Sequence, residues 1–476
     1  MYCAFMVLLF IFVLLIVGWS VWKSRASASL REMNIGAYLF EAKQYSEAEL
    51  HFRQLLTKRL PPGVEADTRR RLALALDVLE RSEEAAEQRH QASAIAMTAP
   101  KDYLALMAQG DLLNSQHRHE EACEMYRRAL RFLLGTRSRR QRAQVMEKLA
   151  TAHHQAGHSP DALKWAEASL ASDPSASVQR RMRVMAGMAC SNQGDLESAE
   201  AHFFRVLEAS ETDAVPEEAI RALAMLADIQ RKRGHLAEAL AAAKRAAEKY
   251  DGPSRAGALV EVECLRDMGR FDEARAVAVR IAQGPQHALP SVARQMKAVC
   301  TLTLACVEAA ADRPEAALAA LRDTREHLKA VNQSSVWPPP PASRESKNGL
   351  HCDALQMRVH AQLGQQEAAW RLWESVENRL SRYADDRTVL MNVYGQFARA
   401  AFYLGALAES RASWQHYLDC KPHPLGLLSA HYWLGETHLC LGETDAARDC
   451  FRQAAAPGID SLDARRAAAR LNELGG

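Results

Sequence analysis

Small residues return along this chain at fixed offsets, and a bulky apolar residue follows many of them. The run Gly-x-x-x-x-Ala occurs as Gly157 to Ala162, Gly194 to Ala199, Gly234 to Ala239, Gly269 to Ala274, Gly364 to Ala369 and Gly442 to Ala447. A second small residue stands 12 positions before several of these alanines, as Gly36 before Ala48, Gly110 before Ala122, Gly187 before Ala199 and Gly435 before Ala447. Four positions after the anchor come Phe52, Tyr126, Phe203, Trp373, Trp414 and Phe451. Close crossing of two helices requires small residues at the contact and a bulky one beside it. The pattern therefore predicts antiparallel helix pairs stacked in an array, in which each pair buries its face on its neighbours.

A different hydrophobic pattern opens the chain. Tyr2 to Trp22 carries no charge over about 21 residues, enough to span a bilayer core of roughly 30 Å as a helix. Trp19 and Trp22 stand where interfacial aromatics sit, followed by Lys23 and Arg25. Ala26-Ser27-Ala28 has the form of a signal-peptidase site, but the stretch before the apolar run lacks Lys and Arg. A buried core helix would leave the run without partner surface. The expectation is an uncleaved single transmembrane helix at 1–25, with the bulk of the chain on the cytoplasmic side because the cations follow the span.

The anchors fall at Ala48, Ala122, Ala162, Ala199, Ala239, Ala274, Ala316, Ala369, Ser410 and Ala447, most of them 35 to 42 residues apart. The wide first gap holds a degenerate helix pair, 66–80 and 82–97. Residues 334–349, SSVWPPPPASRESKNG, interrupt the series with a proline run that cannot be helical. This divides the chain into an N-terminal array at 26–332, a proline-rich loop at 333–349 and a C-terminal array at 350–476. The last array ends in a capping helix that Ser461 would N-cap.

With these residues in phase, the chain resembles tetratricopeptide-repeat (TPR) proteins over most of residues 29–458. Ile35-Gly36, Ala48 and Phe52 match the family pattern, as do Leu149-Ala150, Ala162 and Pro174, and Leu434-Gly435, Ala447 and Phe451. Alanine takes the bulky position at Ala243, Ala278 and Ala320, which suggests tighter helix packing there. The resemblance implies an all-α, TPR-type α-solenoid whose first helices line a concave groove. Carried over by register, the groove positions are Arg181, Arg221, Asp228, Arg231, Lys232, Arg358, Arg399, Tyr403 and Glu436. Arg221, Arg231 and Lys232 would offer surface charge to an acidic partner segment. The Lys/Asn set with which some family members hold a terminal carboxylate is replaced by Met33 and Ala37, which cannot donate to a carboxylate. The layout also resembles inner-membrane lipopolysaccharide-assembly regulators. Those end in a cysteine knuckle, and no C-x-x-C occurs here.

Charge and chemistry narrow the function. The sequence holds 60 Lys+Arg against 58 Asp+Glu, a near balance that does not suit a phosphate-neutralising nucleic-acid binder. Its 10 scattered cysteines suit a reducing compartment. Nucleotide loops, nucleophile elbows and zincin motifs are missing. His119 and Cys123, and His431 and His438, are read as chance helix-surface pairs. No cofactor, metal or catalytic group is expected. Clusters at Arg69–Arg71, Arg137–Arg142, Arg180–Arg183 and Arg231–Arg233 are read as solvated helix ends, with anionic lipid headgroups or an acidic partner as the alternative. The expectation is a non-enzymatic, membrane-anchored scaffold that binds other proteins, in a bacterial inner membrane. A periplasm-facing protein of envelope assembly or polymer export, and a ligand-sensing regulatory subunit, are the alternatives.

Overall fold

In the computed structural model, residues 28–29, 31–40, 42–98, 103–115, 118–133, 139–172, 174–209, 217–248, 255–283, 290–334, 347–384, 386–455 and 458–475 are described. Among them every regular element is helical, and no helix is long and apolar enough to cross a membrane. The apolar run 2–22 and most of the proline-rich loop lie outside the described residues.

The chain forms two compact units. The first contains helix α1 at 31–40, α2 (Tyr45–Leu56), α3 (Pro62–Val78), α4 (Ser82–Thr98), α5 (Tyr103–Ser115) and α6 (His119–Leu133). A Cβ added to Gly36 would strike the Phe52 ring, and one on Gly110 would strike Tyr126. The small residue and the bulky one 16 positions later are thus two halves of one crossing. Arg69, Arg70 and Arg71 are not free cations here. Arg69 binds Glu65, while Arg70 and Arg71 share the buried Asp67 carboxylate, and Arg70 also reaches Asp111 at 2.9 Å. Burial would raise the Asp67 carboxyl, but the two guanidiniums hold it well below the usual carboxylate range.

The second unit carries the remaining pairs. They are α7 (Arg139–Ala156) with α8 (Ser159–Ala171), α9 (Ala176–Gln193) with α10 (Leu196–Glu208), α11 (Glu217–Arg233) with α12 (Leu236–Glu248), and α13 (Ala256–Asp267) with α14 (Phe271–Gln283). Then follow α15 (Pro290–Ala310) with α16 (Pro314–Ser334), α17 (Lys347–Gln362) with α18 (Gln366–Leu380), α19 (Arg387–Tyr403) with α20 (Leu407–Asp419), α21 (Pro424–Cys440) with α22 (Thr444–Ala454), and the single helix α23 (Leu462–Glu473). Ser461 caps α23, accepting the Ala464 N–H at 3.2 Å, as its position predicts.

The repeating Gly-x-x-x-x-Ala acquires a physical cause in these turns. Wherever it is described, the residue five before an anchor takes a left-handed φ between paired helices, a conformation glycine adopts without strain. Lys43, Glu80 and Asp312 occupy the same conformation without being glycine. Five residues after them stand Ala48, Ala85 and Ala317, all fully buried. Two sequence readings are corrected by this. Ala85 is an anchor that the missing glycine concealed, and the anchor after Asp312 is Ala317 rather than Ala316. The bulky position of that repeat is therefore Leu321, not Ala320. Alanine does hold that position at Ala243 and Ala278, both fully buried, and the helix that follows α12 approaches Ala243 closely. A Cβ on Gly257 of α13 would lie 2.6 Å from the Ala247 amide nitrogen of α12.

The array of the second unit closes on itself. Lys347 Nζ donates to His154 O at 3.0 Å and pairs with Asp386 at 2.7 Å. Thr388 Oγ1 reaches Asn192 Oδ1 at 3.3 Å, and Arg465 Nη2 donates to Met268 O at 2.6 Å. These contacts land on successive turns of α7–α14. Gly194 (φ 84°) meets Arg387, and a Cβ on Gly234 (φ 94°) would lie 2.6 Å from Ile459. Glycine is thus fixed twice at these two turns, by conformation and by the returning chain. Helices α17 to α23 fold back onto α7 to α14, and the concave face becomes the wall of a chamber.

Candidate functional site

The chamber has a volume of about 460 Å³ and is lined chiefly by first helices of the pairs. Each presents a stripe at helical spacing: Val299, Leu302 and Cys306 on α15, His351, Leu355 and Arg358 on α17, Asn392, Gln396 and Arg399 on α19, and Leu425, Ser429 and Trp433 on α21. Arg231, Glu263, Arg266 and Asp267 close one side, Asp463 and Arg466 of α23 another, and Trp414 and Tyr417 enter from α20.

Arginine occurs here in two opposite environments. Arg231, only 8 % exposed, is enclosed by carboxylates. Its Nη1 binds Asp267 at 2.7 Å, its Nη2 binds Asp228 at 2.8 Å and Glu263 at 2.9 Å, and Nε donates again to Asp228. Lys232 completes the group on Asp228 at 2.8 Å. Arg266 lies on Asp267 at 2.9 Å. The Asp228 and Asp267 carboxyls, which burial alone would raise, are held low by these cations.

Among the described residues, no carboxylate pairs with Arg358 or Arg399. Arg358 is 5 % exposed and donates from Nη2 to the Ala309 carbonyl at 2.9 Å. Arg399 donates from Nη2 to Ser429 Oγ at 3.2 Å, and its guanidinium lies 5.7 Å from the Trp414 ring and 5.3 Å from the Trp433 ring. Burial pushes the Arg358 guanidinium down to about 10, and the neighbouring Arg399 charge pushes the same way. Among the described residues, four buried polar atoms of this lining have no hydrogen-bond partner: Arg358 Nε, Arg399 Nε, Trp414 Nε1 and Gln396 Oε1. Three of the four are donors.

Burial keeps the thiol and imidazoles of the chamber in their uncharged forms. Burial raises the Cys306 thiol, while His351 is lowered to about 4 and His423 to about 3, again by burial first. A thiol kept protonated and imidazoles kept neutral suit a wall better than a nucleophile and its base. Among the described residues one group brings three metal-capable side chains within 4.8 Å of one another: His153, His158 and Asp161, at the α7–α8 turn. The pairs His119/Cys123 and His431/His438 are not so gathered. His119 Nδ1 instead contacts Asn114 Oδ1 at 2.7 Å, and His438 pairs with Glu443.

Of the nine groove positions read from register, Arg231, Arg358 and Arg399 line the chamber. Asp228 and Lys232 stand behind that wall, tied to Arg231 and to each other. Glu436 is buried and bound to Arg470 at 2.7 Å, while Tyr403 is partly exposed and accepts from Gln362 at 3.3 Å. Arg181 is exposed and pairs with Glu147 across α7 and α9, and Arg221 is exposed. Arg231 is thus not the surface cation that register suggested, because Asp228, Glu263 and Asp267 all converge on it. Trp433 and Gln396 were not singled out, and Trp414 was read only as the bulky packing residue of its repeat. Their one signal is the aromatic density of α19 to α21.

Tetratricopeptide-repeat family models match residues 102–175 and 224–288. No curated protein matches the chain. Among solved structures it is similar to a Rap protein complexed with competence and sporulation factor, at 12% identity and a TM-score of 0.50, over 78% of this chain and 99% of that one. It is also similar to the apo quorum sensor NprR from B. thuringiensis, at 14% identity and a TM-score of 0.46, over 63% and 87%. The fold is an all-α TPR-type helical solenoid.

Proposed function

We propose that this chain is a non-enzymatic receptor or scaffold whose second unit takes an extended peptide segment of a partner protein into the closed chamber. One observation carries the reading. A concave cavity of about 460 Å³ joins apolar walls to buried donors that no described residue satisfies. Buried polar atoms are ordinarily paired, and unpaired ones in a cleft are supplied by what binds there. TPR repeats and likeness to a Rap protein solved with a bound factor agree with this role. Residues 2–22, followed by Lys23 and Arg25, would hold the receptor at a membrane with its arrays on the cytoplasmic side. A C-terminal alkaline phosphatase fusion, active only outside, distinguishes that orientation from a periplasmic one.

Binding is tested with the immobilised full-length chain and a random hexapeptide library read by mass spectrometry. Trp433→Ala removes an aromatic wall and is expected to weaken capture about tenfold, as for a central aromatic anchor. Trp370→Ala, on the exposed face of α18, leaves capture unchanged. Equal capture by wild type and Trp433→Ala would remove the chamber from the binding surface.

A further inference from the structure

We infer that Arg358 and Arg399 form a receptor for a carboxylate, so that the preferred ligand of the chamber is an acidic peptide with apolar flanks. This rests on the peptide reading above and specifies its chemistry. The nearby cations Arg231 and Arg266 already have Asp228, Glu263 and Asp267 in contact, and Arg466 has Asp463 at 3.8 Å. Among the described residues only Arg358 and Arg399 line this cavity as cations touching no carboxylate, and each acts on the other as a like charge. A buried guanidinium such as Arg358, with the half-buried Arg399 charge near it, is unfavourable until an anion joins them.

The donor geometry selects the anion. Each guanidinium has one Nη2 engaged, by Ala309 O or by Ser429 Oγ, and each has an unbonded Nε. The edge left to each suits a planar two-oxygen acceptor, the group that a guanidinium fork matches. The Arg399 guanidinium also lies over the indoles of Trp414 and Trp433, which help hold it in place. Phosphate carries more charge and a third acceptor oxygen. It would also bring a dianion into a chamber that already holds Glu263, Asp267 and Asp463. Leu302, Leu355 and Leu425 in the same wall favour apolar residues beside the acid.

The carboxylate has two sources, an Asp or Glu side chain or a peptide's own C-terminus. Three hexapeptide libraries separate them: amidated with one fixed Glu, amidated with Gln at that position, and free-acid without Asp or Glu. The expected result is that the full-length chain retains the Glu library, the free-acid library or both about tenfold over the Gln library, with preference falling as salt rises. Whichever carboxylate library is retained identifies the source. Arg399→Met and Arg358→Met each abolish the preference while the melting curve stays cooperative. Arg399→Lys keeps the charge but not the fork and restores only part of it. Equal retention of all three libraries would overturn the carboxylate receptor and leave the peptide reading standing. Retention of none would overturn both. Displacement of the retained Glu library by millimolar inorganic phosphate, with no effect of chloride at equal ionic strength, would overturn the choice of carboxylate over phosphate.

Discussion

Replacing Arg231 with Met is expected to destabilise the second unit by about 3–5 kcal/mol, the cost of removing one partner from a buried charge cluster. The arginine is enclosed by Asp228, Glu263 and Asp267, and its loss leaves these acids with Lys232 and Arg266 alone. In a unit this large the melting temperature should fall on the order of 10 °C. The deficit depends on pH in a defined direction. Asp228 and Asp267 are depressed in the folded protein, so their stabilisation is complete above the unfolded carboxylate range and is lost as pH falls through the folded values. In Arg231→Met the depression shrinks. The gap between variant and parent should therefore be widest near neutral pH and narrow below about pH 4. Arg221→Met, at an exposed position one helix face away, should move stability by no more than about 0.5 kcal/mol. Similar melting temperatures for the two variants would show that the carboxylate cluster is not holding this wall.

The same substitution at Arg358 is expected to act with the opposite sign. Arg358→Met should stabilise the folded chain by about 1–3 kcal/mol, because it removes a buried charge that faces Arg399 and has no acid. Methionine fills a similar volume in a wall that includes Leu302 and Leu355. The Ala309 carbonyl that loses Arg358 still accepts from Gln362 Nε2 at 3.3 Å, so no acceptor is orphaned. Higher stability together with lost carboxylate preference marks a group retained for binding at a cost to folding. A fall in melting temperature like that of Arg231→Met would instead make Arg358 a structural strut. Paired chemical-denaturation curves of the two variants decide between these outcomes.

Which parts of this could be read from the sequence follows from range. The crossing of paired helices is set within one repeat, and Gly187 with Phe203 or Gly435 with Phe451 announce it by spacing alone. The left-handed residue at each turn is local too, but it is legible only when it is glycine. Asp312 and Glu80 hide it, which displaced one anchor and concealed another. Groove register is also local, and three of its positions, Arg231, Arg358 and Arg399, line the chamber. Which groove residues come to share one chamber depends on which repeats curl together. That is decided by contacts such as Lys347 with His154 and Arg465 with Met268, nearly 200 residues apart in sequence. No periodicity reports such a contact. Basic clusters misled for a different reason, since Arg69 to Arg71 and Arg231 to Arg233 are paired with acids from their own and neighbouring helices, which a run of like charge does not show.

The claim that the closed inner face is where the ligand sits is tested most directly by photo-crosslinking from inside the chamber. A benzophenone side chain placed at Asn392, which lines the cavity on α19, is compared with one at Arg371 on the exposed face of α18. Each full-length protein is irradiated with the peptides retained by the unmodified chain, and the adducts are mapped by mass spectrometry. The account predicts peptide adducts at position 392, suppressed by excess unlabelled peptide, and none at 371. Adducts at 371 with none at 392 would contradict it and place binding on the outer surface of the array.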